Sequence, residues 1–181
     1  MKTSLRAITM TVLLAASLPA AAACNEESIA WDTGEPGRYV EHGNGSVTDT
    51  VTGLMWKKCS EGMTWAPGSE SCDDTPSGYD WLGAHRRATA VNAVEEGENY
   101  GHQDWRLPNV KELASLVELA CHDPAINESV FDDVTAGSYW SSSTSVDYAG
   151  AAWYVNFGGG SISAESKEVG TLFVRLVRDA E

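Results

Sequence analysis

Asp104-Trp105-Arg106-Leu107-Pro108-Asn109-Val110-Lys111-Glu112-Leu113 is the stretch that organises the rest of the chain. Pro108 keeps the backbone before it extended. Asn109 offers a side-chain oxygen as a helix cap, and Glu112, three residues on, can reach back to the cap in a capping box. A helix is therefore predicted from Asn109. Leu113, Leu116, Val117 and Ala120 fall on one face at i, i+3, i+4 and i+7, which makes that face core, and Asp123-Pro124 ends the helix. Asp104 and Arg106 flank Trp105 on extended chain, so they share a face and are placed to pair or to bond neighbouring backbone. Arg106 is also a binding candidate, because its forked guanidinium suits anionic sugar substituents.

Upstream of this junction, residues 38–57 alternate short β-prone runs with turn signals: Arg38-Tyr39-Val40-Glu41, Gly43-Asn44-Gly45, Ser46-Val47-Thr48-Asp49, Thr52-Gly53 and Leu54-Met55-Trp56. That pattern predicts a β-meander. Residues 58–78 are rich in Gly, Ser, Pro and Asp without a period and read as an irregular surface loop. From Trp81 to Ala93, Trp81, Ala84, Ala88 and Val91 recur at helical spacing behind the N-cap candidate Asp80, so a first helix is predicted there. Glu95 to Gln103 breaks it. Downstream, strands are expected at Tyr139-Trp140-Ser141, at Ala152–Phe157 with Trp153, Val155 and Phe157 on one side, at Ser161–Ala164 after a Gly158-Gly159-Gly160 turn, and at Leu172–Arg178. Two helices between N- and C-terminal groups of strands give an α+β domain whose sheet joins both ends of the chain.

The ends of the chain set its surroundings. Residues 1–23 carry Lys2 and Arg6, no acid, an apolar run from Ile8 through Leu18 and the small-residue site Ala21-Ala22-Ala23, the pattern of a secretory signal peptide cleaved near Ala23. The run is shorter than the ~20 residues of a spanning helix. Residues 24–181 then form one exported domain, secreted or periplasmic. The 181 residues hold 12 Lys+Arg against 26 Asp+Glu, a net charge of −14, which becomes −16 once the two basic residues of the signal are removed. A chain this acidic repels phosphate backbones and anionic lipid, so no nucleic-acid partner is expected.

Cys24, Cys59, Cys72 and Cys121 all follow the cleavage point, and an even set in an exported chain reads as disulfides. Of three possible pairings, Cys59 with Cys72 and Cys24 with Cys121 is favoured because the first closes a short Gly/Ser/Pro-containing loop. A lipid anchor on Cys24 is the rival reading, although Ala21 stands where a lipoprotein signal usually has leucine.

Few residues suggest chemistry. The histidines His42, His85, His102 and His122 are scattered without ligand spacing, and Asp73-Asp74, Asp123 and Asp132-Asp133 lack the alternating calcium-loop pattern, so no metal or other cofactor is expected. Ser141-Ser142-Ser143 sits in no nucleophile elbow. Gly158-Gly159-Gly160 precedes a strand rather than a helix, which suits a hairpin turn better than a phosphate cradle. Tryptophan is the unusual feature: of Trp31, Trp56, Trp65, Trp81, Trp105, Trp140 and Trp153, most are assigned to the core. The alternative use of an indole is a stacking platform for a sugar ring, and Trp65, in the disulfide-tied loop, is the residue expected to be exposed. Trp65, Arg106 and Trp140 are the candidate binding residues.

Several blocks taken together, Gly43-Asn44-Gly45-Ser46-Val47-Thr48-Asp49, Thr52-Gly53-Leu54-Met55-Trp56, Asp104-Trp105-Arg106-Leu107-Pro108-Asn109, Lys111-Glu112-Leu113, Tyr139-Trp140-Ser141-Ser142-Ser143 and Val174-Arg175-Leu176-Val177-Arg178, resemble the Lcl C-terminal domain family, also called domain of unknown function 1566, over residues 38–178. The resemblance implies an exported bacterial domain with a fold related to the C-type lectin-like group. It also implies a place alone or on surface proteins, among them a collagen-like adhesin whose terminal domain recognises sulfated polysaccharides. No enzymatic activity is established for the family. This chain has no collagen-like Gly-x-y repeat, and its acidity disfavours a polyanionic glycan. The Arg106-Leu107-Pro108 helix start is similar to that of formylglycine-generating oxidases, whose reactive cysteine pair has no matching block here. The leading expectation is an exported, non-catalytic binding or adhesion module for a glycan or another surface ligand. A structural or protein-interaction domain of the cell envelope comes second, and an oxidase-like enzyme of related fold third.

Overall fold

A computed structural model of the chain describes residues 23–25, 35–94, 97–131 and 134–181. The signal segment before Ala23, Trp31 and the Asp132-Asp133 pair lie outside the described residues. The predicted meander forms as β2 (Tyr39–Glu41), β3 (Ser46–Asp49) and β4 (Leu54–Lys57), all antiparallel, and β11 (Val177–Asp179) pairs against β4 to complete the order β11-β4-β3-β2. The meander and the C-terminal strand therefore share one sheet, as the pattern of elements predicts, while the strand at residues 23–24 pairs elsewhere. The β3–β4 turn is organised by Asp49, whose carboxylate accepts from Val51 and Thr52 N–H while Arg38 grips it at 3.1 and 2.7 Å. Burial alone would raise the Asp49 pKa, but the Arg38 hydrogen bond and charge outweigh it and hold the carboxyl below its ordinary value.

A second sheet has the order β10-β9-β8, built from β8 (Ser138–Thr144), β9 (Ala151–Asn156) and β10 (Ser161–Ser166). Residues 172–178 were expected as one strand, but they change partners as they go. Phe173 exchanges bonds with Ser138 and Trp140 of β8, Val174 accepts from Glu61, Leu176 accepts from Lys57, and only Val177–Asp179 forms regular strand. This ribbon is the seam between the two sheets. The larger core cluster lies around Trp56, Leu113, Phe131, Tyr139, Val155 and Phe157, and a second gathers Ala84, Ala88 and Val91 of the first helix against Trp105, Trp140 and Leu176.

The helix α1 (Trp81–Asn92) starts where expected, with the Asp80 carboxylate accepting from Gly83 N–H. Its companion α2 (Val110–Ala114) has the full capping box, Asn109 accepting from Lys111 and Glu112 N–H while Glu112 accepts from Asn109 N–H. The predicted length of α2 is corrected. Leu116 and Val117 are buried as expected, yet the helix stops at Ala114 because Val117 bridges Ile126 and Glu118 N–H donates to Ala125. Non-local pairing captures the backbone that the helix would have used.

The segment read as an irregular loop, 58–78, also contains structure that its composition hid. A two-stranded hairpin, β5 (Thr64–Ala66) and β6 (Ser71–Asp73), sets Trp65 opposite Cys72. Cystines join Cys59 to Cys72 and Cys24 to Cys121, the pairing favoured from loop closure. The second of these ties β1 (Ala23–Cys24) to β7 (Cys121–His122), and it leaves Cys24 no thiol for a thioether-linked lipid. Two disulfides suggest an oxidising, extracytoplasmic setting. Among the described residues no helix is long and apolar enough to cross a membrane.

Candidate functional site

Strand alternation builds the site. Trp153, Val155 and Phe157 share one face of β9 and its continuation. Val155 and Phe157 have no exposed surface, because the larger core covers them. Trp153, nearer the start of the strand, is only half-buried. The 145–150 loop is held beside it by the Ser145 hydroxyl, which accepts from Tyr148 N–H, and by the bond from Ala151 N–H to the Tyr148 carbonyl. An open cleft of about 840 Å³ results at this end of the sheet, and its lining residues include Trp153 and Tyr148, Asp147 and Glu165, and Ser163 and Ser166. Tyr148 is 72% exposed. Aromatic faces suit the C–H faces of pyranose rings, while carboxylates and hydroxyls accept and donate to vicinal hydroxyl groups. Rigid strands carry most of this lining, so its geometry exists before a ligand arrives.

The three residues proposed from sequence do not share this cleft. Trp65, expected to be exposed, is 9% exposed. Its Nε1 donates to the Gly43 carbonyl at 3.3 Å, Lys58 Nζ lies 4.9 Å from the ring centroid, and a Cβ added at Gly45 would come within 2.7 Å of the indole. Gly45, with φ +93°, supplies both the left-handed turn and the room for this contact. One edge of Trp65 does border a separate cleft of about 610 Å³, together with Lys57, Glu98 and Tyr100. Arg106 directs its fork at Glu112, at 2.7 and 3.0 Å, and at Asp179. It does not pair with Asp104, which binds Arg178. Trp140 is wholly buried with Nε1 donating to the Tyr79 carbonyl, so no ligand can reach it in this conformation.

A second constellation was not foreseen. Lys57 and Arg87 both bind the buried carboxylate of Glu61 at 2.6 Å, and Arg87 also pairs with Glu98. The phenol of Tyr100, above Lys57, is pushed up by burial and by the charges of Glu61 and Glu98. Arg175 has 1% exposure. It donates to the carbonyls of Lys57 and Lys58 and to the Ser60 hydroxyl, and it lies 4.9 Å from the Phe131 ring centroid. Lys57, Glu61 and Arg87 answer one another's charges, while Arg175, whose Nε has no partner among the described residues, holds neutral backbone carbonyls; together they anchor the chain leading into the cystine hairpin as a structural brace. The available signal was Arg175 itself, alone in the apolar run Leu172-Phe173-Val174-Arg175-Leu176-Val177.

The serines are engaged in backbone contacts: the Ser141 hydroxyl donates to the Trp153 carbonyl, Ser142 to that of Pro108, and the Ser143 hydroxyl accepts from Val110 N–H. Among the described residues no three His, Cys, Asp or Glu side chains converge as metal ligands. No curated protein matches the chain. A family model, the Lcl C-terminal domain, matches residues 45–178.

Proposed function

The chain belongs to the Lcl C-terminal domain family, and from that premise we propose that it is an exported, non-catalytic binding module whose cleft around Trp153 holds a saccharide. The reading takes the fold to be C-type lectin-like and the mature chain to be secreted or periplasmic after removal of residues 1–23. One observation carries the ligand class: Trp153, on a rigid strand, is only half-buried and lines an open cleft to which Tyr148, Asp147 and Glu165 also contribute. The two carboxylates favour an uncharged or amino-bearing sugar over a sulfated one. All four cysteines are in disulfides, which counts against an oxidase-like reading that needs a free thiol.

A panel of uncharged, amino-bearing and sulfated oligosaccharides, presented to the full chain at low and physiological salt, tests the proposal. Uncharged or amino-bearing members are expected to bind, and Trp153→Ala is expected to weaken them roughly tenfold or more. Binding of no saccharide, or binding that Trp153→Ala leaves unchanged, overturns it.

A further inference from the structure

The saccharide cleft is lined by residues 163–166 of β10, and the outer backbone edge of the same strand, running from Ile162, is a second feature that adjoins it. Hydrogen bonds flanking the strands fix which of its backbone groups face outward. Lys167 N–H donates to the Gly150 carbonyl at 2.9 Å. Counting back by twos along the register, Glu165↔Ala152, Ser163↔Tyr154 and Ser161↔Asn156 are the hydrogen-bonded pairs. On the other side of β9, Phe157 N–H donates to Gly137 at 2.8 Å, which assigns the odd residues of β9 to β8 and its even residues to β10. The two routes agree. The N–H and C=O groups of Ile162, Ala164 and Ser166 therefore point away from the sheet.

Ser166 is satisfied locally, its N–H by the Glu165 carboxylate and its carbonyl by Gly170 N–H. Ile162 and Ala164 meet no hydrogen-bonding partner on that side among the described residues. The edge has an unbroken register and neither lysine nor proline, the usual protections of an unpaired strand. Its two faces differ. On the side of Ile162 runs an apolar groove of about 340 Å³ that includes Val51, Val117 and Leu119, with Val51 and Leu119 65% and 60% exposed. The opposite face carries Glu165, and Glu168 is exposed just beyond the strand.

We propose that the outer edge of β10 docks an extended segment of another protein, which adds a fourth strand to the β8–β9–β10 sheet. Strand addition satisfies the open groups of Ile162 and Ala164. Alternate side chains of the segment, apolar, seat in the Val51–Leu119–Ile162 groove, and the intervening ones, basic, lie toward Glu165. Charge selects this occupant over a second copy, since a chain of net charge −14 attracts a cationic segment and repels itself.

Amide hydrogen exchange of the full chain, with an octapeptide of alternating lysine and valine as probe, tests the assignment. The Ile162 and Ala164 amides are expected to exchange as open amides in the free chain and to slow by roughly tenfold or more with the peptide. Ala164→Pro removes one outward donor without touching a bond to β9, so it is expected to abolish the effect at Ile162 while Val155 stays protected. Leu119→Glu, in the exposed groove, is expected to weaken the effect, and Trp153→Ala to leave it intact, which separates this surface from the saccharide reading. The proposal is overturned if neither amide slows at millimolar peptide. It also falls if a peptide N-methylated at alternate amides, or a glutamate-valine octapeptide, protects them equally. Protection already present in the free chain overturns it too, whether sedimentation finds a monomer that covers its own edge or a dimer paired through β10.

Discussion

Trp65 and Trp153 each sit on a short antiparallel strand, yet one is locked and the other open. Trp65 is held on all sides but the edge that borders the smaller cleft: Gly45 below, Lys58 over the ring, the Gly43 carbonyl at the indole nitrogen and the Cys59–Cys72 cystine across the hairpin. Behind it the Lys57–Glu61–Arg87 chain and Arg175 fix the backbone from within. Trp153 lies where the core ends, next to a loop held by few bonds and a strand with a bare edge. One half of the molecule invests its aromatic and charged residues in rigidity, while the other leaves the same chemistry facing solvent. Residue type alone does not separate structural from binding groups here; the number of partners does.

The sharpest way to break this contrast is Glu61→Ala. It leaves Lys57 and Arg87 without their shared acceptor in a buried setting and is expected to cost roughly 3–5 kcal/mol. Urea unfolding measures it, and a loss below about 1 kcal/mol would mean that the brace is ornamental. Next comes the tryptophan pair. Trp65→Ala is expected to destabilise by about 3 kcal/mol, as for a large core truncation, and Trp153→Ala by less than about 1 kcal/mol, as at a partly open position. Equal losses at the two sites would erase the distinction. The smallest effect concerns Asp49, whose carboxyl Arg38 holds below its ordinary value. The stability it contributes is complete above the unfolded carboxylate pKa of about 3.9 and disappears as pH falls through the lower folded value. Asp49→Asn is therefore expected to be less stable than the parent at neutral pH, with a gap that closes in acid. A gap that widens there contradicts the assigned sign.

Local signals were legible, and what depended on distant chain was not. Asn109 and Glu112 form their capping box three residues apart, so the start of α2 could be read directly. Its end could not, because Ile126 and Ala125 capture the residues after Ala114. The same holds for Trp65, whose burial depends on a glycine turn twenty residues upstream. Trp153 was correctly placed on a face with Val155 and Phe157, but the pattern gives no sign that cover runs out before it. Asp104 and Arg106 were placed to pair with each other or to bond neighbouring backbone, whereas Arg106 binds Glu112 and the distant Asp179, and Asp104 binds Arg178. The candidate cleft joins a loop, two strands and a turn, so no single window of sequence displayed it.

The ribbon from Leu172 to Asp179 sets a timetable. It is translated after every segment it bonds, so Lys57, Glu61, Arg106 and Trp140 all await contacts from later chain. A nascent chain that has not reached Leu172 lacks the ribbon's backbone bonds to both sheets. Completion of the seam is thereby deferred until residues 172–179 have been made, and a chain stopped before Leu172 is expected to lose the seam as well as the residues themselves.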